Sequence, residues 1–172
     1  DIKKYYPLIQ KLELEGIKFY NSRDEMQKFP NHYRKLEELN WTYAQDFPIP
    51  DGVEHTRIPF EQAMKQQIDF EKNSYGVEIV AVKDKQYIGS TDVEVYSKTE
   101  PHKGWTGSLG VLKEFRRKGI ATAIKIKAIE CLLKKGVTEV RTDNEENNPM
   151  YKINIALGFK PVPFSLEYMK EI

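Results

Sequence analysis

Residues 77–97, VEIVAVKDKQYIGSTDVEVYS, constrain the fold of this chain more than any other stretch. Apolar residues stand at 77, 79, 80 and 82, a KDK turn follows, and a second strand-like run returns the chain. Two such runs joined by so short a turn predict neighbouring antiparallel strands. TEPHKG then breaks the pattern, and WTGSLGVL (residues 105–112) supplies a third strand. Beyond it, apolar residues recur at 120, 124, 128, 131 and 132, the spacing of an amphipathic helix that Gly136 stops. VTEVRTDN reads as a further strand. PMYKINIAL reads as a short helix, with Pro149 near its first turn and Gly158 at its end. Hairpin-linked strands followed by a strand–helix–strand unit predict an α/β chain with a mixed, mostly antiparallel sheet and helices on both faces.

The first half adds helices to that sheet. YPLIQKLELEG carries Leu8, Ile9, Leu12 and Leu14 at helical spacing ahead of Gly16. IKFYN alternates and reads as a strand. Ser22 and Glu25, three apart, form a capping-box pattern that opens a helix, continued through HYRKLEELNWTYAQ with Leu36, Leu39 and Tyr43 on its apolar stripe. FPIPDG and VEHTRIP are loop, and FEQAMKQQIDFEK is helical through Phe60, Met64 and Ile68. FKPVPFSLEYMKE supplies the last one or two strands. The expected order is a leading helix, then β-α-α-β-β-β-α-β-α-β. Residues 1–16 form an extra helix and residues 17–172 one domain.

At 172 residues the chain is long enough to bury roughly 70% of its unfolded surface without staples. Its single cysteine, Cys131, excludes a disulfide framework and a Cys-rich zinc site, and fits a reducing cytoplasm. His32, His55 and His102 have no metal-ligand spacing, so no metal is expected. The formal net charge of +1 gives no global field for nucleic acid. No apolar run approaches the roughly 20 residues of a membrane span, and the first residues lack the apolar core of a secretory signal.

Any anion must therefore meet a local cluster, and EFRRKGIATAIKIKAIE (residues 114–130) holds one. Arg116, Arg117 and Lys118 run into Gly119, and a helix begins at once. Cations at a helix N-terminus oppose its dipole, a conflict that an anionic ligand removes. Glycine allows close backbone approach, and the first turn leaves amide N–H groups unpaired. Strand, basic loop, glycine and helix start together suit a phosphate; a solvated basic surface is the plain alternative.

Arg116-x-x-Gly119-x-Ala121 resembles the R/Q-x-x-G-x-G/A signature of the GNAT superfamily of acyl-CoA-dependent N-acyltransferases, in the same place between a central strand and the central helix. NNPMYKINIALGF resembles that family's last helix, with Asn147, Met150 and Gly158-Phe159 in frame. The resemblance covers about residues 17–172 and implies the GNAT fold. LIQKLELEGIKFY also looks like the linker helix and first strand of the C-terminal copy in bacterial tandem-GNAT proteins, which implies a second GNAT domain in a longer chain. The resemblance implies acetyl-CoA as co-substrate and direct acetyl transfer to an amine acceptor. The amides of Arg117, Lys118, Gly119, Ile120, Ala121 and Thr122, with Arg116 at the head of the motif, would hold its pyrophosphate. The backbone of Leu109, Gly110 and Val111 would hold its pantetheine arm, and Asn147 would contact that arm from the far side.

Here the chain departs from the pattern. Many relatives place a tyrosine seven residues after the Asn as acid to the thiolate, where this chain has Asn154. Asn154 with water, or Tyr151 nearby, is the candidate for that step. Asp92 and Glu94, which share a face of STDVEVY, are candidate general bases; two solvated strand carboxylates are the alternative. TGSLG has Thr106 where a nucleophile elbow needs its first glycine. Trp41, Tyr43, Phe47 and Trp105 are core or pocket lining, with Trp105 nearest a loop, and Cys131 falls on an apolar stripe. The acceptor pocket is expected from residues 24–72 and the FPIPDGVEHTRIP loop, with a small amine favoured. A degenerate acyl-CoA-binding sensor, and a nucleic-acid or phosphoprotein binder built on the RRK loop, remain alternatives.

Overall fold

A computed structural model describes residues 2–49, 52–95, 99–144 and 148–162. A 3-10 turn at Ile2–Tyr5 leads into α1 (Tyr6–Leu14), then β1 (Lys18–Asn21), α2 (Ser22–Glu25), α3 (His32–Ala44), α4 (Phe60–Asn73), β2 (Tyr75–Lys83), β3 (Gln86–Val95), β4 (Lys103–Val111), a 3-10 turn at Lys113–Phe115, α5 (Ile120–Lys134), β5 (Glu139–Arg141) and α6 (Pro149–Leu157). The five strands among the described residues lie in chain order. β1 to β4 pair antiparallel and β5 joins β4 in parallel. The mixed, mostly antiparallel sheet expected from the hairpin and the strand–helix–strand unit is therefore present. The last expected strands fall mostly on residues 163–172, outside the described residues.

The β2–β3 hairpin turns at Asp84 and Lys85, both with positive φ (48° and 67°). That is the backbone of the tight turns whose twist matches paired strands. Strand alternation then divides the core in two. Val77, Ile79, Ala81, Val93 and Val95 face α5 and α1, where Ile120, Ile124, Ala128, Leu132, Ile9 and Leu12 meet them. Val80 and Val82 face α3 and pack with Leu36, Leu39 and Tyr43. Leu14, read as part of the α1 stripe, is 89% exposed.

The capping pattern at Ser22 needs correcting. Asn21 is the cap, accepting from the Arg23 N–H at 3.3 Å, while the Glu25 carboxylate accepts from the Asn21 N–H at 2.6 Å. The helix lasts four residues, because Met26 turns into the core and the chain re-enters a helix only at His32. Among the described residues three helices, not two, therefore link β1 to β2. The glycines at 16, 136 and 158 do end their helices in left-handed conformations.

Candidate active site

The β4–β5 ladder holds only three rungs, Lys103–Glu139, Gly104–Val140 and Trp105–Arg141. Thr106 Oγ1 adds a bond to the Arg141 carbonyl at 3.0 Å. Past that point β4 pairs with β3 on one side, and no described strand covers its other edge. The β4 edge at Leu109, Gly110 and Val111 thus borders a wedge between β4 and the chain leaving β5, with the Val111 carbonyl taken by Arg116 Nε. An extended amide-bearing ligand can add there as a strand.

At the end of β4 the chain makes the turn that the basic loop promised. Arg117 has φ 61° and Gly119 has φ 84°, and Gly119 caps α5. Ala123 is the first α5 residue whose N–H bonds back to the turn, at the Gly119 carbonyl, 3.0 Å. Among the described residues the amides of Arg117, Lys118, Gly119, Ile120, Ala121 and Thr122 bond to no backbone carbonyl. Six such donors around left-handed residues at a helix N-terminus make an anion cradle. A Cβ on Gly119 would come within 2.8–2.9 Å of the Leu8 methyl groups of α1, so that helix walls one side of the cradle. The Arg116 side chain turns away. Its Nε donates to the Val111 carbonyl at 2.8 Å and its Nη2 to Asp46 at 2.5 Å, and Lys113 also pairs with Asp46 at 2.7 Å. Arg116 fixes the loop to the end of α3, leaving Arg117 and Lys118 exposed.

On the α3 face lies a row of buried polar groups. Asp92 Oδ1 accepts from both the N–H (2.9 Å) and the Oγ (2.8 Å) of Ser108. The β3–β4 register shifts there, opposing Gly107 and Ser108 to Asp92 alone. The Tyr43 hydroxyl lies 3.1 Å from Ser108 Oγ, 3.1 Å from Ser90 Oγ and 2.8 Å from Asn40 Oδ1. Glu94, on the same face as expected, is paired with Arg23 at 2.7 Å. Sequence reasoning missed a third carboxylate: Glu78 pairs in register with Asp92 across β2–β3 and is 4% exposed. A glutamate inside the apolar run VEIVAV was the available signal. Burial raises the pKa of all three. Glu78 reaches about 8, with Asp92 adding repulsion; Ser108 opposes the rise at Asp92, and Ser74 and Arg23 oppose it at Glu94. Behind Glu78, His32 is buried between Ser22 Oγ and the Tyr87 hydroxyl, 3.0 Å from each, and desolvation lowers its pKa. It was set aside in the sequence because the three histidines have no metal-ligand spacing; its partners here lie 10 and 55 residues away.

A cavity of about 350 Å³ lies between α3, residues 55–58 and α4, lined by Asn40 and Gln67 but by none of the three carboxylates. Trp41, Glu37 and Arg57 stand at its wall, with Arg57 paired to Glu37 at 2.7 Å. Asn40 and Gln67 join it to the row through Ser90 (3.0 Å) and Glu78 (3.4 Å). The helices of residues 24–72 and part of the loop expected to shape an acceptor pocket line this cavity. A second hollow of about 450 Å³ at Lys85–Tyr87 and Leu112 is lined by neither Asn40 nor Gln67, the residues that bond to the row. Tyr43 is core, as one of its two readings had it, and Trp105 is half-buried.

The remaining candidates lie across the wedge. Tyr151 is half-buried on α6. Asn154 is 3% exposed, and its amide is already engaged by Lys125 Nζ and by Asn144 Oδ1. Asn147 lies outside the described residues.

Residues 35–155 match the model of the Acetyltransferase (GNAT) family, most of the chain's length. The chain belongs to the GNAT family. No curated protein sequence matches it significantly. Among solved structures, the aminoglycoside acetyltransferase AAC(6')-Iy bound to the bisubstrate analog CoA-S-monomethyl-acetylneamine has a TM-score of 0.65 at 17% identity, covering 91% of this chain and 99% of that one. AAC(6')-IG from Acinetobacter haemolyticus gives 0.62 at 17%, covering 91% and 98%. A transcriptional regulator from Bacillus halodurans gives 0.66 at 14%, covering 90% and 99%. These neighbours share the GNAT fold. GNAT acetyltransferases use acetyl-CoA, and the cradle and open β4 edge of this GNAT chain fit its pyrophosphate and its amide-bearing arm. Among the described residues no cluster suits a metal ion, and no helix is long and apolar enough to cross a membrane.

Proposed function

We propose that this chain acetylates a small amine held in the cavity between α3 and α4. The observation that carries the reading is the run of six amides at residues 117–122 beside an open strand edge. Acetyl-CoA would supply the activated acetyl group. The amides of 117–122 hold the pyrophosphate, and the Leu109–Val111 backbone holds the arm against β4. The amine loses its proton to Asp92, whose carboxylate sits on the β4 bulge and is made more basic by burial. Glu94 is committed to Arg23, and Glu78 stays protonated near neutral pH, so both shape the field around Asp92. Names among the structural neighbours point to aminosugars as the first acceptors to try. One observation favours a binding-only sensor: the Asn154 amide is already bonded on both sides.

Calorimetric titration with acetyl-CoA and CoA tests the reading, repeated on Gly119→Asp, which strains the left-handed turn against Leu8 and adds a negative charge beside the cradle. Binding by wild type and its loss in the variant are expected. A panel of amines follows; Asp92→Asn should keep acetyl-CoA binding and lower kcat by roughly 10²–10⁴-fold. Tight CoA binding with no amine acetylated would favour the sensor. Binding of any polyanion without preference for CoA would sink the acyltransferase reading.

A further inference from the structure

Lys125 lies on the face of α5 turned to the interior, and its side chain is 2% exposed. A lysine there has to be explained, since a buried ammonium without an anion is costly. Among the described residues Nζ meets the Asn154 amide oxygen and the Phe159 ring, 4.8 Å from its centroid, and no carboxylate pairs with it. Its neighbour Lys127 pairs with Glu13 at 3.4 Å instead. Burial alone lowers the Lys125 pKa, to about 8, so it keeps most of its charge at neutral pH. An ammonium has three donors, and Asn154 takes one.

The place of this cation matters as much as its isolation. Asn154 is on α6 and donates to Asn144, three residues past the last rung of β5. The chain Lys125–Asn154–Asn144 therefore crosses from α5 through α6 to the wall of the wedge. We infer that Lys125 is the cationic partner of the coenzyme A sulfur, held for the moment when that sulfur becomes negative. This rests on the proposed function. The amine nitrogen bonds to the thioester carbon, the carbon–sulfur bond breaks, and its electron pair stays on sulfur. The amine proton goes to Asp92. Lys125 offers its charge and a donor to the thiolate, which takes a proton from solvent on release. Asn154 then acts as a positioning residue for the lysine rather than as a donor to sulfur.

The test reads the ionisation of bound coenzyme A by ultraviolet thiolate absorbance against pH, with ligand-free protein as the blank for Cys131. In wild type the bound thiol should ionise about tenfold or more readily than free CoA, as expected for a cation within a few ångströms. Lys125→Met should abolish that shift with CoA still bound, and Lys125→Arg should retain it. Removing a buried charge is often neutral or stabilising, so the methionine variant is expected to fold; Lys125→Gln, neutral and polar, gives the same reading independently. A bound thiol that titrates alike in wild type and in both neutral variants overturns the inference and leaves the acyltransferase reading standing. If wild type binds no CoA, the acyltransferase reading falls and takes the inference with it.

Discussion

Gly110 is where packing on the acceptor side meets the strand that faces the donor. A Cβ built there would lie 2.1–2.4 Å from the ring carbons of Tyr43. An ordinary contact begins at 3.4 Å, so in Gly110→Ala the ring has to retreat by about 1.3 Å. Tyr43 has little room to do so: it is 2% exposed, and its hydroxyl is held among Asn40, Ser90 and Ser108. Overpacking of this kind costs about 1–3 kcal/mol. Losing two of the hydroxyl contacts adds about 1 kcal/mol each. Alanine is better than glycine in a strand by roughly 0.5–1 kcal/mol, which offsets a part. The clash wins, and the variant should be destabilised by about 2–4 kcal/mol, a Tm fall of roughly 4–16 °C for a chain of this length. Urea unfolding of a double-mutant cycle with Tyr43→Ala identifies the cause. The methyl group fits the space the ring vacates, so the double variant should be little worse than Tyr43→Ala alone, with a coupling of about 2 kcal/mol or more. Additive losses, or a loss under about 1 kcal/mol for Gly110→Ala, would refute the reasoning.

Three further outcomes follow from the same geometry. Glu78 has its pKa raised from the ordinary carboxylate range to about 8, so the folded state binds the extra proton in that interval. Stability should fall as pH rises through that window, and Glu78→Gln should remove a slope worth on the order of a few kcal/mol, read by urea unfolding across the pH range. Asp46 is the opposite case: Lys113 and Arg116 hold its carboxyl below the usual range. Its contribution is present above that range and lost in acid, so Asp46→Asn should flatten the acid limb and loosen the Arg116 turn, read as weaker CoA binding. Asn148 caps α6 by accepting from the Met150 N–H at 2.9 Å; Asn148→Ala should cost about 1 kcal/mol, seen as a lower Tm.

Much of this was legible where local chemistry decides. The hairpin, α5 and α6 follow from alternation, helical spacing and glycine stops within a dozen residues of one another. The turn at 116–119 could be read because its oddity, cations before a helix, is local. What escaped depends on distant partners. Lys125 sits in a basic stretch and off the apolar positions of its helix, and its buried partner Asn154 lies 29 positions on. Glu78 acquires meaning from Asp92 through a strand register, and Arg116 from Asp46 at the far end of α3. Ser22 failed as a cap because Asn21, one residue earlier, already has the extended backbone and the side chain that the cap needs.

Three rungs and one threonine bond tie β5 to the rest of the sheet, whereas β2 and β3 are paired along their whole length. The molecule should therefore open unevenly, with the amides of β5 and α6 exchanging their hydrogens through a small local opening long before those of the central hairpin. A ligand that bridges the wedge would close that opening by mass action. Its footprint in an exchange experiment should reach well beyond the atoms it touches, protecting the amides of β5 and α6 while leaving the slow amides of residues 77–95 unchanged.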